Sequence, residues 1–288
     1  MSQLEVPPLG VVDDVVPAAP GAPGAARFPK GDGEGGMPAW LGGLIGFALL
    51  LVLWEVLALT VFNSVGSGVP TPVSVVTQFW NDLTSGLYGR NVGQTLKEAA
   101  QGYVIANVAA IVLAIAFVQV PVIEKALLRL AIASYCLPLI AVGPILSFAL
   151  SGDRPQAALA ALLVFFPTLV GVVLGLRSAD PASLDVIYAA GGGRWSQLVK
   201  VRLRAALPNT FAALKIAAPS AILGAIIGEY LGRQPNGLGI MMIDAESSLN
   251  ISRTWGVALF CAAIAGVCYY LTGVLGHLMT PWARTTRS

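Results

Sequence analysis

Residues 155–176 read PQAALAALLVFFPTLVGVVLGL, and residues 177–208 continue as RSADPASLDVIYAAGGGRWSQLVKVRLRAALP. The first stretch carries no charge over a length that suits one crossing of a bilayer, where a helix needs about 20 mostly apolar residues. The second stretch is charged and strongly punctuated. Asp180 before Pro181 is an N-cap with proline at the first helical position. Residues 182–190 then suit a short helix, and Gly191 to Gly193 end it, because glycine tolerates the left-handed conformation at a helix C-terminus. A second helix restarts near Arg194 and runs to about Leu207. A membrane helix followed by a protruding helix-turn-helix elbow is the unit from which the rest of the chain can be read.

Composition agrees. Of 288 residues, 56% are hydrophobic and only 11% charged, against about 25% charged in an average soluble domain. That excludes a soluble enzyme, a disordered regulator and a nucleic-acid binder. A net charge of +2 offers no basic patch for phosphate backbones. The fold class is therefore all-α, a polytopic helical membrane protein.

Six spans are expected, at 40–62, 99–123, 130–152, 155–176, 209–232 and 254–283. Residues 1–38 stand apart from them, with seven prolines, seven glycines and mostly acidic charge. Such a segment buries too little apolar surface to offset its ordering entropy, so it reads as a disordered cytoplasmic tail and not as a signal peptide. Residues 39–288 form the membrane domain, with the elbow at about 178–208.

Lysine and arginine in the loops set orientation. With the N-terminus inside, the inner segments hold Arg27, Lys30, Lys125, Arg129, Arg177, Arg194, Lys200, Arg202, Arg204, Arg284 and Arg287. The outer ones hold only Arg90, Arg154, Arg233 and Arg253. Both termini and the elbow are expected in the cytoplasm. In the first outer loop, Pro70-Thr71-Pro72 restarts the chain. Val73, Val76, Phe79, Trp80 and Leu83 then recur at helical spacing, as in an amphipathic helix lying on the membrane or on the protein. In the last outer loop, Ile240 to Leu249 can form a short helix after Gly237-Leu238-Gly239.

Little in the chain is catalytic. Cys136, Cys261 and Cys268 lie in apolar stretches and read as packed hydrophobes. The one histidine, His277, has no ligand partners in sequence, and no metal site is expected. Lys215 and Glu229 are the ionisable groups of the fifth span. They lie within about 40° of one helix face and about 21 Å apart along it. They either face the bundle or a wet pathway, or reach the two interfaces by snorkelling. As candidate pathway-lining residues they are the best the sequence offers. Pro138, Gly143 and Pro144 are expected to distort the third span.

As physics alone, the elbow is either a topogenic basic loop or a docking knob whose glycine tip lets another backbone approach. Its residues also resemble the cytoplasmic signature loop of ABC-importer permeases. Asp185, Val186 and Ile187 take the positions of its EAA triplet, Gly191 its glycine, and Val201 and Leu203 its later I and L. Arg194-Trp195 and Ala205 to Pro208 resemble the fuller form in sulfonate, taurine and nitrate permeases. Asp for Glu, Val-Ile for two alanines, and Arg204 in place of a proline are departures. Trp54-Glu55, Pro70 to Val73, Gly175-Leu176-Arg177, Leu214-Lys215-Ile216, Gly228 to Gly232 and Gly237-Leu238-Gly239 extend the likeness over about residues 45–283.

The resemblance implies a type I ABC importer permease fold with six transmembrane helices. It implies an ATPase-coupling interface at Asp185, Tyr188, Gly191, Gly192, Gly193, Arg194 and Trp195. Implied partners are a cytoplasmic ATPase dimer, a second permease copy as a homodimer, and an extracytoplasmic substrate-binding protein. ATP and magnesium belong to the partner ATPase; this chain has no phosphate loop and no cofactor of its own. The cell membrane is the implied location. The substrate is expected to be a small anion of the sulfonate, taurine or nitrate type, or a vitamin-precursor heterocycle. The rivals are an ion-coupled secondary transporter, which would leave the elbow unexplained and usually shows internal repeats, and a membrane-embedded enzyme, for which the catalytic inventory is too thin.

Overall fold

The computed structural model of the protein describes residues 39–62, 69–232 and 235–282. The expected tail at 1–38 lies outside them. Among the described residues every regular element is helical. In chain order these are α1 (Ala39–Leu57), extended by a π-turn over Ala58–Phe62, α2 (Pro72–Thr84), α3 (Leu87–Gln119), α4 (Pro121–Cys136), α5 (Leu139–Ala149), α6 (Arg154–Arg177), α7 (Pro181–Ala189), α8 (Arg194–Gln197), α9 (Leu203–Gly232), α10 (Leu238–Ser247) and α11 (Ile251–Met279). Contacts divide the chain into Met1–Leu49 and Leu50–Ser288. The described part of the first unit is the start of α1, with Leu44, Ile45, Phe47 and Leu49 exposed. The second unit holds everything that follows.

Five described helices are long and apolar enough to cross a membrane: Trp40–Val61, Leu87–Gln119, Arg154–Arg177, Arg194–Gly232 and Ile251–Met279. They cover five of the six expected spans. The sixth, at 130–152, is two helices. Leu137 is extended at φ −67°, ψ 127° and ends α4, because a residue before proline is pushed out of the helical region. Pro138 then starts α5, which carries Pro144 inside it. At 11 residues, α5 is about 16 Å long, roughly half the hydrocarbon thickness. The second span also differs at its ends. Its helix starts at Leu87, well inside the expected outer loop, and stops at Gln119, where Val120 and Pro121 break it.

The fifth span extends furthest beyond its expected bounds. The second elbow helix does not stop near Leu207. Through a π-turn at Leu198–Arg202, α8 continues into α9, and Pro208 and Pro219 sit inside the helix. The run Arg194–Gly232 is 39 residues, about 58 Å, which exceeds a whole bilayer with its headgroups. Its first turns therefore stand out of the membrane as part of the elbow.

At the centre, α6 packs between α3 and α9 on small residues. A Cβ at Gly224 would lie 2.5 Å from Ala160 Cα, and one at Gly228 would lie 2.7 Å from Gln156 Cα. Gly102 of α3 approaches Ala157 and Ala160 equally closely. Helices in lipid gain nothing from hiding apolar surface from one another, so close backbone approach and dispersion hold them together. Ala106, Ala160, Val164, Ala217, Ala221 and Ala225 form the buried middle of this seam. Toward the elbow, Phe117, Leu169, Val172, Leu176 and Leu198 take over. At the opposite end Tyr88, Leu238, Met241, Val257 and Cys261 do so. By contrast α11 leaves Val267, Tyr270, Leu271, Leu275 and Leu278 exposed.

The amphipathic helix α2 forms as expected, capped by the Thr71 hydroxyl, which accepts from Ser74 N at 3.2 Å. Of the expected stripe, which could meet membrane or protein, only Phe79 packs on the protein. Val75, Phe79 and Asp82 turn inward, while Val73, Val76, Trp80 and Leu83 are exposed. Asp82 selects this rotation. Its two oxygens accept from Arg253 Nη2 at 2.8 Å and Nε at 2.9 Å, and a planar guanidinium satisfies a carboxylate best in that two-point geometry. Phe79 then packs its ring, tilted, against those of Tyr88 and Phe260 at 5.3 and 5.8 Å between centroids.

Candidate functional site

The elbow is built almost entirely from local interactions. The Asp180 carboxylate accepts from Ser183 Oγ at 2.9 Å, Ser183 N at 3.1 Å and Ala182 N at 3.3 Å. The Ser183 hydroxyl, then the two amides, hold this carboxyl below its ordinary range, so the cap stays charged at neutral pH. The other end of α7 closes by a paired motif. Gly192 N donates to Ile187 O at 2.8 Å and Gly191 N to Tyr188 O at 2.9 Å, a Schellman turn that satisfies the last carbonyls. Gly191 takes φ +78°, the left-handed conformation that the sequence anticipates. Gly192 is required for a different reason: a Cβ there would lie 2.6 Å from Ile187 Cγ2 and 2.7 Å from its carbonyl oxygen. Gln197 Nε2 reaches back to Leu184 O at 3.2 Å and joins the two arms.

Of the seven expected interface residues, Asp185, Tyr188, Gly191, Gly193, Arg194 and Trp195 are exposed and Gly192 is half-buried. Val186, Tyr188 and Trp195 are 66%, 74% and 67% exposed. Three large side chains left open on one small knob are what a docking surface requires. The knob is also tied to the bundle. Arg194 Nη1 donates to Gln119 O at 3.4 Å, at the end of α3. Arg202 Nη1 donates to Leu176 O at 3.1 Å, in α6. Arg177 pairs with Glu124 of α4. Arg194 and Arg202 thus join the elbow to α3 and α6, and Arg177, the last residue of α6, joins that helix to α4.

At the opposite end of the bundle lies a buried polar node around Glu229. Gly237 starts α10 at φ +148° and has no side chain to cap it. Remote residues do so instead. Gly237 N donates to Asn91 Oδ1 at 2.9 Å, Leu238 N to Thr95 Oγ1 at 3.0 Å, and Gly239 N to Glu229 Oε2 at 2.7 Å. The Thr95 hydroxyl in turn donates to Glu229 Oε1 at 2.5 Å. Three orphan amides of a helix start are thus each met by a side chain from α3 or α9. A Cβ at Gly237 would collide with the Glu229 carboxylate. Glu98 and Gln156 are fully buried beside this node, and Gln94 donates to Glu98 Oε1 at 2.7 Å.

Glu229 is therefore completely enclosed within the protomer. Lys215 lies elsewhere, half-buried with its ammonium 4.2 Å from the centre of the Tyr269 ring. The two side chains singled out from the fifth span do not meet, and each packs against a different helix. Asn91, Thr95, Glu98 and Gln156 escaped the sequence reading. A signal existed: Asn91, Thr95 and Glu98 recur at i, i+4 and i+7 on a helix whose continuation is apolar, marking a polar stripe that needs a buried partner.

Comparison with known proteins bears on both ends of the molecule. Residues 106–285 match the family model described as binding-protein-dependent transport system inner membrane component. The riboflavin transport system permease protein of Chloroflexus aurantiacus is 29% identical over 81% of this chain and 87% of its own length. The formylaminopyrimidine transport permease protein of Halalkalibacterium halodurans is 30% identical over 83% and 94%. A putative aliphatic sulfonates transport permease protein of Bacillus subtilis is 24% identical over 84% and 88%.

Proposed function

Since the chain belongs to the family of binding-protein-dependent transport system inner membrane components, we propose that it forms half of the substrate pathway of an ATP-driven importer and takes its drive through the elbow. It is a multi-pass membrane permease and a transport component, not an enzyme. A second copy completes the pathway. An ATPase dimer carrying ATP and magnesium docks on α7 and α8, and an extracytoplasmic binding protein delivers substrate at the other end. Both termini face the cytoplasm. The substrate is a small anion of the sulfonate, taurine or nitrate type or a vitamin-precursor heterocycle.

The observation that carries this reading is the elbow: two locally fixed arms with Val186, Tyr188 and Trp195 open at the tip. Aromatic anchors of this kind dominate protein interfaces when a partner covers them. Closure of the paired ATPases would push the elbow, and the bonds of Arg194, Arg202 and Arg177 would pass that displacement to the ends of α3, α6 and α4.

The first test is assembly. The purified chain alone is expected to hydrolyse no ATP, and hydrolysis is expected once its ATPase partner is added. Robust, contaminant-free hydrolysis by the isolated chain would sink the proposal. Orientation is checked separately. A cysteine at Asn236 should react with an impermeant thiol reagent in intact cells, and one at Ser196 should not. The reverse pattern would turn the protein over.

A further inference from the structure

A groove of about 430 Å³ runs between α3, α5 and α6. Ile105 and Ala109 of α3 and Leu162 and Phe165 of α6 make its apolar walls. Two polar side chains break them, Gln101 one turn before Ile105 and Arg154 on the first turn of α6. Both are exposed in the protomer, and neither has a side-chain partner among the described residues. This volume lies in the usual range for small-molecule sites, about 300–1,000 Å³.

Gln101 lies within the apolar run of α3. An unpaired amide turned toward acyl chains loses the hydrogen bonds water would give it, so polar groups within spans face protein or a water-filled space. Residues 101, 105 and 109 share one helical stripe, so Gln101 lines the same wall of the groove as Ile105 and Ala109. Charge then gives the groove a sign. Lys97, one turn before Gln101, is bound to Asp153 at 2.7 Å. Arg154 is left as the uncompensated cation at the mouth. The other large apolar cavities, against α11, are lined without any charged residue.

We infer that this groove is the wall of the substrate pathway in the permease proposed above, and that it takes small organic anions, the anionic group at Arg154 and the apolar body against Ile105 and Phe165. The inference rests on the permease reading but narrows it, because it chooses the anion over the neutral heterocycle.

The test needs no substrate. In a chain carrying Cys136→Ala, Cys261→Ala and Cys268→Ala, single cysteines are placed at Ile105 in the groove and at Val267 on the exposed face of α11. Anionic sulfonatoethyl and cationic trimethylammonium-ethyl methanethiosulfonates are supplied to both sides of membranes holding the assembled transporter. Ile105→Cys is expected to react with both reagents, and faster than Val267→Cys. Adding Arg154→Gln is expected to lower the anionic-to-cationic rate ratio at Ile105→Cys by about tenfold, the smaller end of what a charged cleft does to local ion concentration. Equal reactivity at the two cysteines would mean a lipid-facing or sealed groove and would overturn the inference. A rate ratio indifferent to Arg154→Gln would overturn the anion preference. Co-purification of the ATPase, followed in the same preparations, reports on the permease reading independently.

Discussion

In cells carrying Gly191→Val, the chain is expected to reach the membrane in near-normal amount while its ATPase no longer co-purifies and uptake is lost. Insertion depends on apolar length and loop charge, neither of which changes. The elbow does change. Gly191 sits at φ +78°, where a residue with a Cβ is strained by about 1–2 kcal/mol, and a β-branched side chain adds bulk at the exposed tip. Nothing in the protomer lies within 4 Å of a Cβ at this position, so the damage falls on the turn's conformation and on whatever approaches it. Gly191→Asn separates the two causes. Asparagine tolerates the left-handed region, so an elbow that fails from strain alone regains its ATPase. One that fails because a partner backbone needs the space does not. Normal association and transport by Gly191→Val would reduce the elbow to a topogenic loop.

The other large effect is expected at Glu229. Replacement by alanine strips the acceptor from Gly239 N in a buried site, while the Thr95 hydroxyl falls back on Asn91 O at 3.3 Å. An unsatisfied buried donor costs about 1–3 kcal/mol, so the packing of α10 on α3 and α9 is destabilised by about that much. Thermal denaturation of the detergent-solubilised protein should show a clear loss for Glu229→Ala. Glu229→Gln keeps one carbonyl acceptor and should lose much less. If the alanine variant melts with the parent, the node does not hold α10 in place.

What could be read without the structure was what sequence neighbours decide among themselves. The Asp180-Pro181 cap and the closure at Gly191 are settled within a dozen residues, and both lie where expected. The long apolar runs needed only a bilayer to explain them. The break at Leu137-Pro138 was half legible: proline marks distortion, but whether a helix bends or stops depends on what its neighbours satisfy. Two things were not legible. The rotation of α2 follows from Asp82 meeting Arg253, 171 residues away, and the apolar stripe alone left open whether it met membrane or protein. The enclosure of Glu229 follows from Thr95, 134 residues away. Helical periodicity placed Glu229 on a face but could not say what that face would meet.

The seam of small residues between α3, α6 and α9 has a consequence for how such a chain changes over generations. Gly102 and Gly224 face Ala157 and Ala160, and Gly228 faces Gln156, so closely that a single added carbon meets backbone. At Gly102 and Gly224 a compensating loss is hardly available either, because the facing residue is already alanine. Such positions cannot drift one substitution at a time. The exposed stripe Val267, Tyr270, Leu271 and Leu275 is under a looser demand, since lipid asks only for apolar bulk. Divergence among homologues is therefore expected to gather on α11 and to spare the seam, and an alignment in which large residues recur at 102, 224 and 228 would contradict it.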